Sequence, residues 1–145
     1  MEKLLEINGL KSWYGLSQAL FDVNLEISQG EVVALIGRNG MGKSTTIRSI
    51  CGLISNYEGD IKFKNISIIN QPSYKIAQLG IGLVPEGRRA FTNLTVLENL
   101  TATAVEGEWN LDKVFHLFPK LAERKHQNSS TCLLYTSDAA DEVSW

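Results

Sequence analysis

Residues 32–44 decide the fold, and they read Val32-Val33-Ala34-Leu35-Ile36-Gly37-Arg38-Asn39-Gly40-Met41-Gly42-Lys43-Ser44. The first five form a continuous apolar run, which predicts a strand of a parallel sheet that is covered on both faces. The last eight match G-x-x-x-x-G-K-[ST], the phosphate-loop pattern. Glycines let the backbone N–H groups of such a loop turn toward phosphate oxygens without side chains in the way.

The sequence on the C-terminal side of the loop predicts a helix. From Lys43 onward the apolar positions Ile47, Ile50, Cys51 and Ile54 follow a helical period, and Gly52 interrupts it near its end. A helix start adds partial positive charge facing the same anion. The order of strand, glycine-rich loop and helix makes a phosphate site the preferred interpretation over an ordinary glycine-rich turn with a solvated lysine.

Further elements are predicted on both sides of this stretch. Strict alternation of apolar and polar residues predicts strands with one buried face at 21–27 and 61–64. A continuous apolar run that Pro85 ends predicts a buried strand at 81–84. The periodicity also predicts helices at 73–79, 94–104 and 111–117.

Within the loop, three side chains have a predicted chemical role toward a nucleoside triphosphate. Lys43 is expected to extend its ammonium to the β- and γ-phosphates, and the Ser44 hydroxyl to supply one oxygen to Mg²⁺. Thr45 is expected to add a hydroxyl or backbone donor near the α-phosphate. The predicted cofactors are therefore ATP and Mg²⁺, and the predicted binding segment is Gly37, Arg38, Asn39, Gly40, Met41, Gly42, Lys43, Ser44 and Thr45.

The composition sets limits on other functions. The chain has 145 residues, of which 43% are hydrophobic and 21% charged, and its formal net charge is −2. Such a near-neutral chain gives no electrostatic basis for a nucleic-acid partner. No apolar run reaches the length of a membrane span, and the first residues lack the apolar core of a signal peptide, so a cytoplasmic location is expected.

Two further segments make the sequence similar to a known family. Trp13-Tyr14-Gly15 precedes the loop, and Val84-Pro85-Glu86-Gly87-Arg88-Arg89 follows it, continuing through Phe91-Thr92-Asn93-Leu94-Thr95-Val96-Leu97-Glu98-Asn99-Leu100. With these segments, residues 1–127 resemble the first half of an ABC transporter ATP-binding subunit. The Glu86 segment is similar to the ATPases of importers for branched-chain amino acids and their urea or amide relatives, which have Glu where most ABC proteins have Gln.

The resemblance implies roles for two residues outside the loop. Tyr14 would stack its ring on adenine, with an ordinary half-buried tyrosine as the alternative. Glu86 would be a second metal-site residue beside Ser44, sensing Mg²⁺ and the attacking water and linking the site to the membrane subunit. The alternative for Glu86 is a surface carboxylate, and for Arg88 and Arg89 a solvated face rather than a contact with the transporter.

The fold implied by the resemblance is α/β: an incomplete P-loop NTPase core with an antiparallel β subdomain and the start of a helical subdomain. The implied partners are membrane-spanning permease subunits and a second ATPase subunit. The protein would then be peripheral on the inner face of the cell membrane. Its parent activity would be ATP hydrolysis that powers amino-acid import, to which Lys43 and Glu86 contribute.

The sequence departs from the family pattern in its last part. No signature motif, no apolar strand ending in Asp-Glu (Walker B) and no switch histidine follow the loop, so this chain is expected to have no complete catalytic set and to be inactive in hydrolysis by itself. Residues 128–145 are predicted to be a non-homologous tail, derived from sequencing-adapter DNA or disordered. Two alternatives stay open: another P-loop enzyme such as a GTPase or kinase, and a non-catalytic nucleotide-binding or interaction protein.

Overall fold

The computed structural model describes residues 2–87 and 89–131. The chain forms two compact units, residues 1–83 and residues 84–145. Among the described residues, no helix has both the length and the apolar character needed to cross a membrane.

The first unit contains a four-stranded antiparallel sheet. Its strands are β1 (Lys3–Tyr14), β2 (Ser17–Ser28), β3 (Tyr57–Phe63) and β4 (Ile66–Ser67), and they lie in the order β2-β1-β3-β4. Each neighbouring pair is antiparallel. The predicted antiparallel β subdomain is therefore confirmed.

The sheet buries one face, and the period-2 pattern determines which side chains reach it. Ile61 and Phe63 of β3 are buried and alternate with Lys62, as their pattern predicts. In β2 the alternation holds for its second half only, since Phe21 is exposed. The buried core is made of eight apolar side chains from the sheet and the segment that follows it: Leu5, Ile7, Leu10, Leu20, Ile61, Phe63, Ile68 and Ile76.

Two helices of the first unit lie where the sequence predicts them, α1 (Lys43–Ile50) and α2 (Ser73–Gln78). The buried face of α1, however, is polar, since Thr45, Thr46 and Ser49 are buried whereas Ile47 is exposed. The predicted helix is confirmed, but its apolar residue Ile47 faces outward. Burial of this polar face is tolerated because two of its hydroxyls donate to backbone oxygens one turn earlier, from Thr46 to Gly42 at 3.0 Å and from Ser49 to Thr45 at 2.9 Å.

The two predicted parallel strands are not formed. Residues 32–36 and 81–84 have no strand assignment, and the side chains of Val32, Ile36 and Val84 are 96%, 93% and 95% exposed. Both predictions of buried strands are wrong for this structure. An apolar run becomes a buried strand only where other strands pair with its backbone and helices cover its faces, and within 2–87 and 89–131 no strand pairs with either run.

The second unit contains three short helices: α3 (Val96–Thr101), α4 (Leu111–Leu117) and α5 (Pro119–Glu123). The range of α4 agrees with its prediction. Helix α3 begins later than the predicted 94–104 because Thr95 caps its first turn in a reciprocal capping box with Glu98, and it ends at Thr101. Helix α5 is not anticipated by the sequence analysis.

The first residues of the predicted tail contact helix α3. The backbone N–H of Ser129 donates to Leu94 O at 2.9 Å, and Thr95 forms an isolated antiparallel bridge with Asn128. The boundary at residue 127 stays a prediction, although the described residues 128–131 are ordered against α3. Residues 132–145 lie outside the described residues.

Candidate functional site

The glycine-rich loop leads directly into α1 and is constrained where it meets β2. Gly42 is the N-cap residue of α1 with φ 84°. A Cβ atom at this position would lie 2.5 Å from Leu20 Cδ2 and 3.2 Å from the carbonyl oxygen of Ala19. Position 42 therefore requires glycine both for its left-handed backbone and for the space that β2 leaves.

The start of α1 presents free backbone donors. Gly42 offers no side-chain cap, and the first helical hydrogen bond at this end runs from Thr46 N to Gly42 O at 2.8 Å. In the part of the chain that the structure describes, no acceptor contacts the N–H groups of Lys43, Ser44 and Thr45. Such unsatisfied donors at a helix N-terminus suit an anion with several oxygens.

The Lys43 ammonium lies over the loop that precedes the helix. Its Nζ donates to Gly37 O at 2.6 Å and to Arg38 O at 2.9 Å. An ammonium has three donors, so one is left for a further acceptor. The positive charge of Lys43 thus lies on the same loop that leads to the free N–H groups, which is the donor set that a polyphosphate needs.

The other predicted loop residues differ in exposure. Ser44 is exposed, as is Met41, and the side chains of Arg38 and Asn39 belong to an exposed stretch. Thr45 is buried instead. The Ser44 hydroxyl is therefore accessible to a metal ion, whereas the Thr45 side chain faces the protein and only its backbone N–H is left for a ligand.

Tyr14 is the last residue of β1, and groups of α1 lower the pKa of its phenol. Hydrogen bonding from the Thr45 side chain is the largest influence on the Tyr14 phenol and lowers its pKa, and the nearby Arg48 guanidinium lowers the pKa further. Partial burial acts in the opposite direction. The ring is 48% exposed. The structure therefore brings the predicted adenine-stacking residue to the helix that follows the phosphate loop.

Sequence reasoning missed Arg48 in this arrangement. Thr45 and Arg48 are three residues apart on α1, a spacing that places both on one helix face. That spacing was available in the sequence, but no local pattern indicated that Tyr14, more than thirty residues earlier in the chain, would meet this face.

Glu86, the other predicted metal-site residue, is exposed and belongs to the second unit. Its role beside Ser44 stays a prediction. Arg89 is also exposed, and Arg88 lies outside the described residues. No group of three or more His, Cys, Asp or Glu side chains suited to a metal ion occurs within 2–87 and 89–131.

Comparison with known proteins identifies the family. Residues 20–139 match the sequence pattern described as ABC transporter. The chain belongs to the ABC transporter family. The match confirms the family resemblance, and it favours that family over a GTPase or a kinase.

The curated relatives of this ABC protein include amino-acid transport subunits. It is 40% identical over 133 residues to the high-affinity branched-chain amino acid transport ATP-binding protein BraG of Pseudomonas aeruginosa, covering 88% of this chain and 57% of that protein. It is 34% identical to the probable branched-chain amino acid transport ATP-binding protein LivF of Archaeoglobus fulgidus, covering 77% of this chain and 50% of LivF. The chain thus spans about half the length of the curated relatives it matches.

Solved structures agree with the fold class. The nucleotide-free ATP-binding cassette of an ABC transporter matches with a TM-score of 0.69 and 26% identity, over 88% of this chain and 58% of that one. The ATP-binding subunit of another ABC transporter matches with a TM-score of 0.67 and 32% identity, over 86% of this chain and 54% of that one. The predicted P-loop ATPase fold is confirmed.

Proposed function

We propose that this chain is the ATP-binding part of a subunit that powers import of branched-chain amino acids, or of related amides or urea, by ATP hydrolysis. The proposed nucleotide site is supported by the free backbone N–H groups of Lys43, Ser44 and Thr45, which lie next to the Lys43 ammonium. The similarity to BraG and LivF supports the transported class.

In this proposal the chain contacts ATP at two places, one for the phosphates and one for the adenine base. The loop from Gly37 to Thr45 holds the phosphates through backbone N–H groups and Lys43. Tyr14 stacks on adenine with its exposed ring face. Both contacts are made by residues of the first unit.

The residues present fit a magnesium ion at the phosphates. Ser44 would hold it through its accessible hydroxyl. Bound Mg²⁺ would neutralise phosphate charge. The free N–H groups at the start of α1 and the Lys43 ammonium would bind and orient the phosphate chain. The exposed Ser44 hydroxyl would face the cation beside the phosphates.

The whole protein would work with partners on the cytoplasmic face of the membrane. Two ATPase subunits would close around ATP, and the Glu86 segment would transmit this movement to the permease subunits. For the 145-residue chain alone we expect nucleotide binding through the loop and Lys43.

Binding of ATP with Mg²⁺ by isothermal titration calorimetry tests the site. Lys43→Ala is expected to weaken ATP roughly tenfold or more, since one charge-assisted contact contributes about 1.5–3 kcal/mol. Lys75→Met on α2 removes an equivalent positive charge without touching the loop and serves as the matched control. Equal affinity of wild type and Lys43→Ala would refute the proposed phosphate site.

A further inference from the structure

Leu20 of β2 packs against the glycine at which α1 begins. A Cβ atom at Gly42 would lie 2.5 Å from Leu20 Cδ2 and 3.2 Å from Ala19 O. A carbon–carbon bond is about 1.5 Å long, so Leu20 Cδ2 lies no farther than about 4 Å from the Gly42 Cα. Two carbon atoms at that separation are in van der Waals contact. Leu20 therefore touches the backbone where the glycine-rich loop becomes a helix.

Gly42 is held from two sides. From the helix, its carbonyl oxygen accepts hydrogen bonds from the Thr46 N–H at 2.8 Å and from the Thr46 hydroxyl at 3.0 Å. From the sheet, it meets Leu20, which is 3% exposed and belongs to the apolar core. Because side chains in a close-packed core have little freedom to shift, Leu20 fixes the start of the helix relative to the sheet.

We propose that Leu20 is a positioning residue of the phosphate site. Its δ-methyl group fixes Gly42 and, through it, the direction of the three free N–H groups at the start of α1. This inference rests on the proposed nucleotide site. Leu20 is buried, so it acts through the loop backbone and not by touching a ligand.

The physical reason is the cost of ordering donors when a ligand binds. N–H groups that already point to one place bind an anion without that cost, whereas groups on loosely held backbone must first be ordered, which lowers affinity. Loop residues 37–41 are exposed, so the core does not hold them. The contact between Leu20 and Gly42 therefore anchors the loop at its helical end.

Leu20→Val tests the inference because valine has no δ carbons and keeps an apolar strand residue. The probes are ATP with Mg²⁺ and inorganic tripolyphosphate with Mg²⁺, each followed by isothermal titration calorimetry. We expect the variant to bind both probes about threefold more weakly, since donors that are fixed in the wild type would have to be ordered on binding. The two losses should be equal, because Leu20 acts on the phosphate donors.

Two further variants separate positioning from general stability. Leu10 is fully buried in the same core, but the atoms nearest to Gly42 belong to Leu20 and Ala19. Leu10→Val should therefore lower the melting temperature and leave both affinities unchanged. Leu20→Met keeps an atom at the δ position and a similar volume, so it should restore affinity close to that of the wild type. Thermal unfolding of each variant checks that it is folded.

A double-mutant cycle in thermal stability reports the contact itself. In the Leu20→Val background, an alanine at position 42 would meet only backbone strain and the Ala19 carbonyl oxygen. Gly42→Ala should therefore lower the melting temperature of the wild type roughly twice as much as that of Leu20→Val. Equal shifts in the two backgrounds would show that the δ-methyl group does not limit position 42, which overturns the inference.

The binding outcomes distinguish the inference from the proposed function. If Leu20→Val binds both probes as tightly as the wild type, or if Leu10→Val weakens them to the same extent, the inference is overturned. Weaker binding of ATP with unchanged tripolyphosphate affinity also overturns it, because Leu20 would then act on the base. If the wild-type chain binds neither probe, the proposed nucleotide site fails first and the inference fails with it.

Discussion

Asn99 pairs with the backbone of Phe91 through both atoms of its amide. The Phe91 N–H donates to Asn99 Oδ1 at 2.8 Å, and Asn99 Nδ2 donates to Phe91 O at 3.0 Å. The same Nδ2 also lies 3.0 Å from Thr95 O and 2.8 Å from Ser129 Oγ, so its two hydrogens are shared among three acceptors. One side chain on α3 therefore holds the loop from Phe91 to Thr95 in place and connects it to Ser129.

Asn99→Ala should loosen this loop. Alanine removes both hydrogen bonds between the Asn99 side chain and the Phe91 backbone, so the free energy of unfolding of the second unit is expected to fall by about 1–3 kcal/mol. Amide hydrogen exchange at Phe91 should accelerate as well. Asn93→Ala is the control, because Asn93 lies exposed in the same loop. Unchanged exchange at Phe91 in the Asn99 variant would contradict the pairing.

Alanine at Gly42 should destabilise the chain more than alanine at Gly40. Both glycines have positive φ, 84° and 83°, so each substitution brings a backbone strain of about 1–2 kcal/mol. Only at Gly42 does the added Cβ meet Leu20 and Ala19, which adds roughly 1–3 kcal/mol of overpacking. Urea unfolding of the two variants measures the difference, and equal losses would show that β2 does not constrain the loop.

The capping box of α3 should make stability depend on acid pH. Hydrogen bonds from the Thr95 N–H and hydroxyl lower the pKa of Glu98 in the folded state. A depressed carboxyl pKa stabilises the fold above the ordinary Glu value of 4.5, and the contribution is lost as the pH falls through the lower folded value. Glu98→Gln should therefore flatten the stability profile below pH 4.5, and Thr95→Ala should cost about 1 kcal/mol at neutral pH.

Stability measured from neutral pH downward tests this prediction. Glu108→Gln, a similar change at an exposed residue outside the capping box, is the control. A Glu98→Gln variant that retains the full acid dependence of the wild type would assign that dependence to other carboxyl groups.

The exposed apolar run at 32–36 should promote association of the chain with itself. Ile36→Lys introduces a charge where the side chain is 93% exposed, so the free energy of unfolding should change by about 0.5 kcal/mol or less. Light scattering should show less association in this variant, because unpaired apolar segments are sites of aggregation. Ile7→Lys, at a fully buried position, should instead unfold the chain. A large loss of stability in Ile36→Lys would mean that Ile36 is packed.

Local patterns predicted the phosphate loop, α1, α2 and α4 because those features depend on neighbouring residues. Glycine at positions 40 and 42 allows a left-handed backbone whatever surrounds it, and the period that predicts a helix is set by residues within one or two turns of each other. The period-2 pattern of β3 likewise predicted that Ile61 and Phe63 would share a face. The family, too, is recognisable from the loop and the Glu86 segment alone.

The tertiary structure decided what depends on residues distant in sequence. An apolar run such as 32–36 becomes a strand only when other strands pair with it, and its composition cannot supply that partner. The buried face of α1 is polar because Thr46 and Ser49 satisfy their hydroxyls within the helix, which hydrophobic periodicity does not register. Gly42 meets Leu20 and Ala19 only because the hairpin of β1 and β2 lies against the start of α1, and that contact joins segments that no local pattern connects.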